Sequence, residues 1–135
     1  AAWSYYDQGS LDGKNWTATT YSTSTWESGN APLGYYTGDN NNSRGYNTIL
    51  DYGTDDGNKR PTYYFRTKFT LSNAPGTEDI FQFNYTVDDG MVVYVNGKEA
   101  ARYLMPSGSI SYNTYATSHA TNNNSAAGIN ISFLI

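Results

Sequence analysis

The clearest pattern in this chain is a period of two in the apolar positions of its middle third. Across residues 63–71, Tyr63, Phe65, Phe69 and Leu71 fall on one face and Tyr64, Arg66, Lys68 and Thr70 on the other. Across residues 80–88, Phe81, Phe83, Tyr85 and Val87 point inward, with Gln82, Asn84 and Thr86 outward. Successive side chains of a pleated strand point to opposite sides, so sustained alternation marks a half-buried strand. Asp88-Asp89-Gly90 ends the second strand in a turn, and residues 91–95 resume an extended run. Asn96-Gly97 then gives the strongest short hairpin signal, because both residue types tolerate left-handed backbone, and residues 98–103 return as the partner strand.

The outer thirds are less regular. Residues 3–6 read as a strand, 9–13 as a turn region, and 20–26 as a short helical turn that sets Trp26 against the body of the domain. Residues 31–36 form a short extended segment that Pro32 confines to an edge or an entry. A polar loop at 39–43 and a further strand over 46–52 follow. After Pro106 the chain is rich in Ser, Asn and Ala as far as Gly128, with a short strand at 110–112. Ile129, Ile131, Phe133 and Ile135 alternate with Asn130 and Ser132 as a C-terminal strand. Many short strands joined by Gly and Asn turns predict one all-β domain over 1–135, a β-sandwich or jelly roll of antiparallel strands.

Composition narrows the function. Aromatic residues make up 16% of the 135 residues, fourteen of them tyrosine, while charged residues make up only 15%. Net charge is −4 and the eight Lys and Arg are scattered, so no basic stripe is present to hold nucleic acid. No apolar run is long enough to span a membrane. Cysteine is absent, which excludes disulfides and thiolate metal sites and is compatible with bacterial export. The Ala1-Ala2-Trp3 start reads as a processed end or an excised module.

Three segments together carry a resemblance. They are Trp16-x-x-Thr19-x-Tyr21-x-x-Ser24-x-Trp26-x-Ser28-Gly29-x-Ala31-Pro32-Leu33-Gly34-Tyr35, then Tyr63-Tyr64-Phe65-Arg66-x-x-Phe69-Thr70-Leu71, and Asp88-Asp89-Gly90 through Asn96-Gly97-Lys98-Glu99. The last runs on to Arg102 and Met105-Pro106-Ser107-Gly108. This series resembles the galactose-binding-like jelly-roll domains of exported, multi-domain bacterial surface proteins, and is similar to the non-catalytic sugar-binding domain of the β-galactosidase family. The resemblance covers residues 3–112 and implies a secreted or cell-surface accessory module that binds carbohydrate. Such domains carry a further strand pair after the Tyr112 region. Here residues 118–128 are polar and short, so a strand is expected to be missing and a sheet edge open to self-association by strand pairing.

No catalytic constellation stands out, and the chain is not expected to be an enzyme. The single histidine, His119, sits in a Ser/Thr/Asn loop and reads as solvated. Among the carboxylates Asp51, Asp55, Asp56, Asp88 and Asp89, the last two are adjacent at a strand end, so their side chains diverge instead of flanking one bond. An acid/base pair drawn from Asp51, Asp55, Asp88 or Glu99 is the remaining enzymatic reading. Asp39, Asp51 and Asp55 lie in loops with the oxygen chemistry of a structural calcium, the one cofactor considered; plain polar loops explain them as well.

Sugar recognition needs flat rings for the apolar C–H face of a pyranose and polar side chains for its hydroxyls. Candidates are Trp16, flanked by turn residues, and Tyr35 and Tyr36 in loops. Tyr46, Tyr52 and Tyr94 belong to the same exposed supply. Tyr64 beside Arg66, opposite Gln82 or Asn84 on a neighbouring strand, makes an aromatic-polar platform, with ordinary cross-strand packing as the alternative. Trp3 and Trp26 are assigned to packing. The leading expectation is a module that tethers an exported protein to polysaccharide; the competing one is a surface or filament subunit joined by strand pairing. Asn-x-Ser/Thr triplets at Asn15, Asn41, Asn84, Asn123 and Asn130 are expected by chance in this composition.

Overall fold

Where the backbone finds hydrogen-bond partners decides which of these segments become strands. A computed structural model describes residues 1–36, 45–76, 79–120 and 124–130, the last as backbone, and the side chain of residue 83 lies outside the description. Nine strands and no helix occur among the described residues. They are β1 (Ala2–Tyr6), β2 (Glu27–Asn30), β3 (Leu33–Gly34), β4 (Thr48–Ile49), β5 (Tyr64–Arg66), β6 (Ile80–Thr86), β7 (Met91–Val95), β8 (Lys98–Tyr103) and β9 (Asn124–Asn130). The protein is all-β, built from several small sheets. By contact density the chain divides into two units, Ala1–Asp12 with Ser22–Phe69, and Gly13–Tyr21 with Thr70–Ile135.

In the first unit, β1 is the middle strand of an antiparallel sheet ordered β2-β1-β5. Ser4 pairs with Arg66 and Tyr6 with Tyr64. Tyr6 and Tyr64 therefore share a face, and their rings meet at a centroid distance of 6.4 Å, with Trp26 packed on Tyr6 at 5.8 Å. Tyr64, only 5% exposed, forms the core with Leu11 and Leu50. Its hydroxyl accepts a hydrogen bond from the Leu11 N–H at 3.2 Å, which satisfies a buried backbone donor. Trp26 ends a turn closed by its N–H on the Thr23 carbonyl, a single turn where a helical one is expected.

Three expectations change in this unit. The alternation over 63–71 becomes a strand for only three residues, and Phe69 and Leu71 are exposed. Its inward face is the one carrying Tyr64, because a period of two sets which residues share a face but not which face meets the core. The strand expected over 46–52 contracts to β4, which runs parallel to β3, Leu33 pairing with Thr48. Tyr46 lies flat on Gly34, where a Cβ would overlap its ring. The expected loop at 39–43 lies outside the described residues.

The second unit contains two antiparallel pairs, β6 with β9 and β7 with β8. The β7–β8 hairpin turns through Asn96 and Gly97 with φ of 49° and 81°, the left-handed pair that a two-residue turn between twisted strands requires. A register shift between Val93 and Tyr94 places Ala100 as the extra residue of a bulge. Phe81, Val93, Val95, Ala100 and Ala101 pack around one apolar cluster. Along β6, Phe81 and Tyr85 are half-buried and Gln82, Asn84 and Thr86 exposed, as the alternation predicts. Arg102 binds the Glu99 carboxylate and the Pro106 carbonyl, so it ties the end of the hairpin to the segment after it.

Two further expectations are corrected here. Residues 110–112 form no strand; Ser111 and Thr114 close a turn through Ser111 N–H on Thr114 Oγ1 and Thr114 N–H on the Ser111 carbonyl. The expected C-terminal strand starts earlier than Ile129: β9 begins at Asn124, inside the polar stretch, and pairs with the whole of β6 from Thr86↔Asn124 to Ile80↔Asn130. Residues 131–135 of the expected C-terminal strand lie outside the described residues.

Candidate functional site

The sequence candidates for ligand binding are divided between the two units. Tyr64 is buried in the core, so it is not an outward platform residue. Arg66 is half-buried and pairs with Ser4 of β1, whereas Gln82 and Asn84 are exposed on β6 opposite Gly128 and Ala126 of β9. β5 and β6 belong to different sheets, so they are not the hydrogen-bonded neighbours that the platform was drawn across. Trp16 is half-buried and packs edge-on against Tyr94, with centroids 5.5 Å apart and planes at 80°. Burial, then the Glu99 charge, pushes the Tyr94 phenol up.

What the fold does assemble is a tyrosine cluster in the first unit. Tyr35 follows β3, and its ring lies 5.2 Å from that of Tyr52 and 5.4 Å from that of Tyr63, tilted by 38° and 40°. Tyr36 stacks on Tyr46 at 6.0 Å with planes 11° apart. The Tyr63 hydroxyl is buried without a hydrogen bond of good geometry, its polar neighbour being the Tyr35 hydroxyl. Burial is the main cause that drives the Tyr63 phenol far above its ordinary range.

Polar groups surround this cluster through the loop at 51–60. Asp7, 4% exposed, anchors it: one carboxylate oxygen accepts the Asp51 N–H at 2.7 Å and the other the Gln8 amide at 2.8 Å. Arg60 closes the loop by its N–H on the Tyr52 carbonyl at 3.0 Å. Its guanidinium reaches the Asp51 carbonyl at 2.9 Å and the Asp51 carboxylate at 2.6 Å. Gly53 N–H also donates to Asp51, and Gln8 reaches the same carboxylate at 3.3 Å. Asp55 accepts the Gly57 N–H. Asp51 and Asp55, the expected calcium ligands, thus serve the loop's own backbone, and no group of three or more His, Cys, Asp or Glu fit to hold a metal ion occurs among the described residues. Asp39 lies outside them.

The Gly53 N–H first, and then Arg60, hold the Asp51 carboxyl below the usual carboxylate range against a small cost of desolvation. A lowered carboxylate pKa stabilises the folded loop above the ordinary carboxylate range, and that contribution is lost as pH falls through the lowered value. Acidification is therefore expected to loosen residues 51–60, seen as faster hydrogen exchange at the Arg60 amide after correction for intrinsic rates. Asp51→Asn should show the faster exchange already at neutral pH, with a flatter dependence on acid. The effect is modest because the pair is half-exposed.

The carboxylates of the Asp88–Gly90 turn do not diverge as expected. The Asp88 side chain interacts with that of Asp89, which accepts the Ala120 N–H at 3.1 Å and faces His119 Nδ1 at 3.3 Å. Burial alone would raise the Asp89 pKa; the Ala120 N–H, Asp88 and His119 outweigh it and lower it. His119 itself is 96% exposed, the solvated loop histidine expected. Tyr52 was part of the exposed aromatic supply read from the sequence, whereas Tyr63, Arg60 and Gln8 were not sequence candidates for the site. The only signal for them is the density of tyrosine, which says nothing of which rings meet.

Comparison with protein families, with curated proteins and with solved structures finds no match to this chain. No helix among the described residues is long and apolar enough to cross a membrane.

Proposed function

We propose that this chain is a non-catalytic carbohydrate-binding module, a galactose-binding-like jelly-roll sandwich that tethers an exported bacterial protein to polysaccharide. The observation that carries the reading is the cluster of Tyr35, Tyr52 and Tyr63 beside Arg60, Asp51 and Gln8. Tilted rings offer apolar faces to the C–H side of a pyranose. The guanidinium, carboxylate and amide beside them supply the donors and acceptors that sugar hydroxyls need, since a hydroxyl left unpaired on burial costs about 1–3 kcal/mol. Trp16 belongs to the other unit, where it packs on Tyr94.

The competing reading, a surface or filament subunit that associates by strand pairing, draws on the missing strand, the apolar residues 129–135 of the sequence and the lack of an obvious ligand pocket. Among the described residues β6 and β9 pair only with each other, so the outer edge of each is a place where another chain could add a strand; light scattering at high concentration tests this reading, and a clean monomer would rule it out.

Affinity electrophoresis through gels cast with soluble plant, host and bacterial polysaccharides tests the proposal. Selective retardation is expected, abolished in Tyr52→Ala and Tyr35→Ala and kept in Trp16→Ala, with circular dichroism checking that each variant is folded. Unretarded migration in every gel would overturn it.

A further inference from the structure

The tyrosine cluster has a second chemistry that does not depend on carbohydrate. The ring centroids of Tyr35 and Tyr52 lie 5.2 Å apart, closer than Tyr35–Tyr63 at 5.4 Å, Tyr85–Tyr103 at 5.6 Å or Tyr36–Tyr46 at 6.0 Å. The two rings are direct neighbours, tilted by 38°. The Asp56 carboxylate lies beside the Tyr52 hydroxyl and pushes its pKa up. A phenol beside a carboxylate has an acceptor for its proton at the moment it loses an electron. Both residues are held by the fold, Tyr35 next to β3 and Tyr52 in the loop that Arg60 closes on its carbonyl.

We propose that Tyr35 and Tyr52 form an oxidative cross-linking site, at which a peroxidase and hydrogen peroxide join the two rings by a carbon–carbon bond. Each phenol gives up one electron and its hydroxyl proton, that of Tyr52 passing to Asp56 and then to water. The two phenoxyl radicals couple at ring carbons ortho to their oxygens. Each of those carbons then releases its hydrogen to the oxygen of its own ring, which restores both phenols. The protein loses two electrons and two protons, and one hydrogen peroxide takes them up to become two waters.

Tyr63 is the poorer partner for Tyr35. Its hydroxyl is buried with no well-formed hydrogen bond, so a proton leaving it has no carboxylate to go to. Tyr115, 70% exposed, is the natural competitor, because an exposed ring couples between molecules. The bond would pin the loop at 51–60 to the segment after β3 and stiffen the face on which the proposed sugar site lies.

The test treats the whole chain, at low concentration, with a haem peroxidase and hydrogen peroxide. The expected product is a monomer lighter by two hydrogens, with the blue fluorescence of a biphenol, and proteolysis followed by mass spectrometry should recover one linked peptide joining Tyr35 to Tyr52. Tyr35→Phe and Tyr52→Phe should each abolish it, while Tyr63→Phe and Tyr115→Phe keep it. Asp56→Asn should slow its formation several-fold without moving it. Links mapped to other tyrosines, dimers alone, no coupling, or a monomeric product that survives Tyr35→Phe would each overturn the proposal. None of these readouts involves a glycan, so failure here leaves the sugar-binding reading standing, and the reverse.

Discussion

Tyr64→Ala is expected to unfold the first unit, not merely to weaken a binding face. Tyr64 is one of three buried hydrophobic residues described, with Leu11 and Leu50. Truncating a buried aromatic side chain to alanine costs about 3–5 kcal/mol through lost burial and the cavity left behind. A folded domain has only about 5–15 kcal/mol in total. The same substitution also removes the acceptor of the buried Leu11 N–H and the ring on which Tyr6 packs. Tyr64→Phe separates the two contributions. It keeps the ring and orphans the Leu11 donor, at a cost of about 1–3 kcal/mol. Urea titrations followed by near-ultraviolet circular dichroism should rank wild type above Tyr64→Phe above Tyr64→Ala. A folded Tyr64→Ala with unchanged midpoint would show that the ring is not in the core.

Asp7→Ala should be the second large effect, and its mechanism is electrostatic. Asp7 is the described buried charged residue, and its two carboxylate oxygens hold the Asp51 N–H and the Gln8 amide. Hydrogen bonds to a charged acceptor contribute about 1.5–3 kcal/mol each, and a buried donor left without one keeps its full desolvation cost. Asp7→Ala leaves the backbone at the start of the 51–60 loop unanchored, although Asp7 touches none of the tyrosine rings through these bonds. Asp7→Asn retains one carbonyl oxygen and should lose roughly half as much. Urea midpoints of the two variants measure the stability loss. Hydrogen exchange at the Asp51 amide localises it; exchange unchanged in Asp7→Ala would exclude the anchoring role.

The two substitutions together separate support from recognition. Tyr64 and Asp7 are buried supports of the first unit, whereas Tyr35 and Tyr52 are half-buried. Loss of polysaccharide retardation in an unfolded Tyr64→Ala would therefore say nothing about Tyr64 as a ligand contact. Only variants that keep the urea midpoint, such as the ring-preserving Tyr→Phe series, report on the cluster itself.

By itself the sequence determined the elements whose signals are local. The alternation of β6 and the Asn96-Gly97 turn between β7 and β8 were legible because side-chain period and left-handed backbone preference act within a few residues. The all-β character followed from the same short-range terms. Tertiary structure alone decided three things. It turned Tyr64 inward, because a period of two pairs residues on a face without saying which face meets Leu11 and Leu50. It made a strand of the Asn-, Ser- and Ala-rich β9, whose own propensity is weak, because the backbone of β6 needs partners along its length. And it gathered Tyr35, Tyr52 and Tyr63 from separate segments around a loop held by Asp7 and Arg60. Proximity between residues distant along the chain arises from packing and hydrogen bonding that no local pattern encodes.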